Sequence, residues 1–143
     1  MSLILGIFAI AIALFYSLYF SRIIKGNPEG FESELLQALA NWIIIKGSSS
    51  RRSLVVMLLL SFIIEGCYFL LVFEVIDNIF MLIFTGIFVA FEVFHLLSFG
   101  FSLKNFFHGN KKLKYLFNWR VERVSTLAFF THSLLVLVCL IIN

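Results

Sequence analysis

Charge is scarce in this chain: Asp, Glu, Lys and Arg make up 13% of its 143 residues, while 62% are hydrophobic. A soluble domain carries about 25% charged residues to keep its surface wet, so this composition excludes an ordinary water-facing fold. Proline occurs once, at Pro28, which leaves long helices uninterrupted elsewhere. The two cysteines, Cys67 and Cys139, lie far apart in apolar stretches. They make no disulfide framework and no CxxC pair, and read as small buried hydrophobes. The chain contains no GxSxG, HExxH, phosphate-binding loop or dinucleotide fingerprint. The common hydrolase and nucleotide chemistries therefore have no motif to rest on, and the balance leans away from an enzyme.

What the chain has is long apolar runs. Four of them reach or approach the ~20 residues needed to cross the hydrocarbon layer. The reading is an all-α integral membrane protein, one domain over residues 1–143. It expects four transmembrane helices in a bundle, at about 2–24, 53–76, 79–103 and 124–142. The first is preceded by no Lys or Arg and is longer than a signal-peptide core, so it reads as a retained helix with a translocated N-terminus. Tyr16, Tyr19 and Phe20 near its charged end suit an interfacial aromatic belt. Only Asp77 and Asn78 separate the second and third runs, which makes them an antiparallel hairpin.

Two polar windows lie between these runs. In the first, Asn27-Pro28-Glu29-Gly30 is a turn signal. Beyond it, Phe31, Leu35, Leu36, Leu39 and Trp42–Ile43 recur at helical spacing, with Glu32, Ser33, Glu34, Gln37 and Asn41 on the other side. That pattern predicts an amphipathic helix over about 31–46, lying in the membrane interface or docking a partner. The second window, 104–123, mixes Lys104, Lys111, Lys112, Lys114, Arg120 and Arg123 with Phe106, Phe107, Tyr115, Phe117 and Trp119. Beside two membrane helices, such a cluster points to anionic lipid headgroups rather than nucleic acid.

All 11 Lys and Arg fall within 22–52 and 104–123. Four crossings put those windows on one side, and the excess of positive charge makes that side cytoplasmic. Both termini are then expected outside, in a plasma or inner membrane. Met1, Asp77-Asn78 and Asn143 belong to the far side. Nineteen Phe give bulky ridges rather than small-xxx-small faces, and exposed Phe can meet lipid or a partner. Homo-oligomerisation or a hetero-complex is expected.

The candidate site is a set of ionisable residues at membrane depth: Glu65, Glu92, His95 and His132. At 1.5 Å per residue, counted from the charged ends, Glu65 and Glu92 lie roughly 19 and 16 Å deep. His95 and His132 lie roughly 12 and 13 Å deep on the same scale. Glu92 and His95 are three apart and share a helical face, while Glu74 turns away from Glu65.

A charge at mid-bilayer costs at least ~2.5–3.5 kcal/mol on insertion scales, so these groups need a compensating role. Four readings fit. Paired carboxyls and imidazoles hold helices together in an accessory or scaffold subunit. Glu65 and Glu92 bind and release a cation or proton, as intramembrane acids often do. His95 and His132 ligate a b-type haem in an electron-transfer subunit. Glu92-Val93-Phe94-His95 has the Glu-x-x-His form of a metal site, which Glu65 and His132 complete. Ion handling is the most specific of these functional readings.

Overall fold

A computed structural model of the chain describes residues 1–142; Asn143, expected on the far side, lies outside them. It is helical throughout, with no strand among the described residues. The order is α1 (Ser2–Ile24), α2 (Pro28–Lys46), α3 (Ser50–Val75), α4 (Ile79–Phe107) and α5 (Trp119–Ile142), with 3₁₀ turns at Gly47–Ser49 and Leu113–Tyr115. Pro28 opens α2, where its missing N–H costs nothing. Gly47, at φ +60°, breaks α2 from α3, a conformation glycine takes without a steric penalty. Asn78 starts α4, its side chain accepting from the amides of Phe80 and Met81, which satisfies two otherwise orphaned donors.

Four of the helices are long and apolar enough to cross a membrane: α1, α3, α4 and α5. Large apolar side chains cover the outside, and polar ones share the interior. Ile7, Phe15, Leu70, Ile87 and Phe94 face outward, while Thr85, Glu92, Ser125, Thr126, His132 and Ser133 are buried. Such an arrangement suits a hydrocarbon solvent, which rewards no apolar burial and penalises exposed polar groups.

One core is shared by the four long helices: Leu5 and Ala9 of α1, Tyr68, Phe69 and Val72 of α3, Met81 and Phe88 of α4, Phe129 and Val136 of α5. The main packing partner of α1 is α5. Gly6 approaches Leu140, and Tyr16 and Phe20 stack on Phe129 and Phe130, so the two run antiparallel. Ala9 and Ala13, four apart, are buried on α1. This is a small-residue face that a search for glycine pairs alone passes over.

The boundaries differ from expectation at one end. The third apolar run continues to Phe107 and the last begins at Trp119, so the basic loop shortens to 108–118. Gly109, at φ +77°, closes α4, with the amides of Gly109 and Asn110 returning to the carbonyls of Phe106 and Asn105. This is the pairing of a Schellman cap. Lys104, Arg120 and Arg123, expected in the loop, are therefore on helices.

Candidate functional site: an acid-rich centre around His95

Four residues of four helices line one cavity of ≈ 240 Å³: Tyr16 of α1, Glu65 of α3, His95 of α4 and Glu122 of α5, with Ser61 beside them. His95 is fixed from both sides. Its Nδ1 lies 3.0 Å from Glu92 Oε2, one turn back on the same helix, and its Nε2 lies 2.9 Å from Glu122 Oε1. The i, i+3 spacing on α4 supplies the first contact. The second needs α5 to begin before Val124, as it does, because Glu122 then sits in its first turn, where the helix dipole favours an acid.

Hydrogen-bond stoichiometry sets what this centre must hold. An imidazole that meets a carboxylate oxygen at each nitrogen needs two N–H groups, or a proton on one of the carboxyls. Either way the triad carries a net charge of −1, and Glu65 adds a further acid. Glu92 is 2% exposed, and its Oε1 is buried without a partner, as is Glu65 Oε2. Glu65 and Glu92 also line a second cavity of ≈ 220 Å³ between α3 and α4. Two carboxyls thus flank one imidazole while a third, Glu65, lines the same cavity, and two oxygens of this set find no donor.

His132 belongs to a different network. Its Nδ1 lies 2.7 Å from the Tyr68 hydroxyl and its Nε2 2.8 Å from Thr85 Oγ1. Thr85 has one hydroxyl hydrogen, and it goes to the Met81 carbonyl at 2.7 Å. The assignment that satisfies the network has Nε2–H donating to Thr85 and Nδ1 accepting from Tyr68. His132, 0% exposed, is then a neutral, fully bonded side chain tying α3, α4 and α5 together.

Between the two networks lies an aromatic layer. Phe69, Phe88 and Phe129 meet edge-on or stacked, with ring centroids 4.7–5.9 Å apart, and all three are buried. Toward the loops, His95 and Glu122 face a third cavity of ≈ 220 Å³ whose lining includes Ser98, Ser102, Lys111, Tyr115 and Asn118 among apolar side chains. Lys111 Nζ donates to Ser102 Oγ there at 2.8 Å.

A third polar cluster lies at the same end. Arg123 meets Glu32 with two bonds, Nε to Oε1 at 2.6 Å and Nη2 to Oε2 at 2.9 Å, and Tyr19 donates to the same carboxylate at 2.5 Å. Glu32, expected on the polar side of its helix, is instead buried against α1 and α5, because these three donors satisfy it there. Tyr19, expected in an interfacial aromatic belt, stacks on Phe31 and is buried where its hydroxyl meets Glu32.

The predicted set therefore divides. The structure brings together Glu65, Glu92 and His95, and separates His132. On α5 the neighbour of His95 is Glu122, ten residues before His132, about 15 Å along the helix. Both histidines have both ring nitrogens bonded inside the protein, so they do not fit as a haem ligand pair. Nor do three His, Cys, Asp or Glu side chains gather as a metal ion needs, among the described residues. Of the basic residues, Lys104, Lys112, Lys114 and Arg120 are exposed, while Arg123 is bonded to Glu32 and Lys111 to Ser102. Glu122 and Tyr68 were not predicted. Asn118, a favoured cap residue just before Trp119, is the signal that puts Glu122 inside a helix. No protein-family model, curated protein or solved structure matches the chain.

Proposed function

We propose that this is a small polytopic membrane protein that handles protons at the Glu65–Glu92–His95–Glu122 centre. The observation that carries the reading is the imbalance of three carboxyls against one imidazole, with two buried oxygens left without a donor. Water inside the cavities, a bound proton or a monovalent cation supplies what the protein withholds. A purely structural network is usually bonded throughout, as that of His132 is, since orphaned buried acceptors cost stability. The cavity on the loop side of His95 and the aromatic layer beyond Glu92 favour a carrier-like centre that takes up its proton from the loop end before passing it on, over an open water-filled pore.

The surroundings fit a helical bundle in a bilayer, with the two basic windows on the cytoplasmic side and the termini outside. In that frame α2 lies at the cytoplasmic interface, held to the bundle by Glu32, and Lys104, Lys112, Lys114 and Arg120 are free to meet anionic headgroups.

Proton uptake into proteoliposomes loaded with a pH-sensitive dye, driven by a potassium diffusion potential, tests the function. We expect wild-type uptake above empty vesicles, reduced at least about tenfold by Glu92→Gln, with the detergent melting temperature retained. Uptake no faster than in empty vesicles would sink the proton reading. Uptake that follows a sodium gradient instead would identify a monovalent cation as the occupant.

A further inference from the structure

A groove of ≈ 400 Å³ lies between α1 and α3, away from the cavity at the loop end. Ile7, Ala11 and Phe15 of α1 and Ile64 of α3 form its walls, and the buried Phe129 ring its floor. Its only ionisable groups are Glu65 and Tyr16, with the Ser61 hydroxyl nearby. The volume lies in the range of small-molecule sites, and Glu65 in its lining has one carboxyl oxygen, Oε2, buried behind the surface without a partner.

A membrane setting decides what such a groove selects. Lipid tails are as apolar as its walls, so an apolar molecule gains little by leaving the bilayer for it. A group that the tails cannot solvate gains far more. An ammonium carried into hydrocarbon on an apolar body is poorly solvated until it meets a carboxylate, and there charge-assisted hydrogen bonds form in a low-dielectric setting. We propose that this groove binds a lipid-soluble amphiphilic amine, its apolar body between α1 and α3 and its ammonium on Glu65. Tyr16 and Ser61 are the additional oxygen acceptors within the same lining.

This site shares Glu65 with the proton-handling centre but does not require proton movement, so it is read by binding without any gradient. The probe is tritiated 4-phenylbutylamine, measured by equilibrium dialysis against the protein in zwitterionic-lipid nanodiscs. Protein-free nanodiscs give the background, and pentylbenzene is the uncharged counterpart. The expected result is saturable amine binding that pentylbenzene does not compete away. Glu65→Gln weakens it about tenfold or more, as loss of a charge-assisted contact does. Ala11→Phe, an outward position on α1, fills the groove and weakens binding comparably while leaving Glu65 in place.

Partitioning equal to that of protein-free discs overturns the proposal, as does equal competition by pentylbenzene. Binding lost in Glu65→Gln but unchanged in Ala11→Phe also overturns it, because the amine would then reach Glu65 from another cavity. If Glu65→Gln does not fold, Ala11→Phe alone still decides. A protein that binds the amine but moves no protons loses the functional reading above and keeps this one.

Discussion

His95 and His132 are the same residue type in adjacent helices, yet their surroundings give them opposite parts. Neutral His132 has one donor and one acceptor, and Thr85 and Tyr68 match them. His95 faces an acid at each nitrogen and needs a proton from outside its own inventory. Tyr68→Phe leaves Nδ1 of His132 without its donor. Interhelical hydrogen bonds in membranes average ~0.6 and reach ~1.7 kcal/mol, so we expect a loss in that range on detergent unfolding. His132→Ala is expected to lose more, since it also empties a buried volume between Phe84 and Phe88. Unchanged stability in both variants would refute the structural role. The sequence puts both histidines at one level, whereas the packing sets His95 beside Glu122 and His132 beside Thr85, at different levels of the bundle. Counting inward from the last charge assumes that each helix begins at that charge, and Arg123 lies four residues inside α5.

At the scale of the elements, α2 is the part whose placement rests on side chains. Its ties to α1 and α5 converge on Glu32, which accepts from Tyr19 and, with both oxygens, from Arg123. Arg123 is partly open to solvent, which screens the pair. A double-mutant cycle of Glu32→Ala and Arg123→Ala is therefore expected to give a coupling of about 1 kcal/mol. Both single variants should also expose the Gly47–Ser50 link to protease sooner than wild type. Additive losses would show that the two side chains act independently.

Of the apolar stripe read from helical spacing, Leu36, Leu39 and Ile43 are half-buried on the side of Glu32, whereas Leu35 is exposed. The burial of Glu32 itself was not legible, because an acid on an amphipathic helix reads as surface unless its Arg partner, 91 positions away, is known. The Asp77-Asn78 hairpin was legible for the opposite reason: a turn that short leaves two long helices no alternative arrangement.

For the whole molecule, the strongest sequence signal is the segregation of charge, and it sets a geometric demand. Four crossings require the α2–α3 link and the loop after α4 to share a side, with the α3–α4 turn on the other. The fold agrees on relative placement: Glu32 near the start of α2 reaches Arg123 near the start of α5. Which compartment each end meets is a proposal that rests on the 11 basic residues, all at one end. Single cysteines at Ser48, Asn110 and Asp77, in a background of Cys67→Ala and Cys139→Ala, convert this into a measurement with a membrane-impermeant thiol reagent. In sealed right-side-out vesicles, Asp77→Cys should label while Ser48→Cys and Asn110→Cys label only after permeabilisation. Labelling of Ser48→Cys and Asn110→Cys from opposite sides would break the four-crossing arrangement itself. The reverse pattern, with both open and Asp77→Cys protected, would keep the crossings and invert the protein. The loop-end cavity beside His95 and Glu122 would then draw its protons from outside the cell rather than from the cytoplasm.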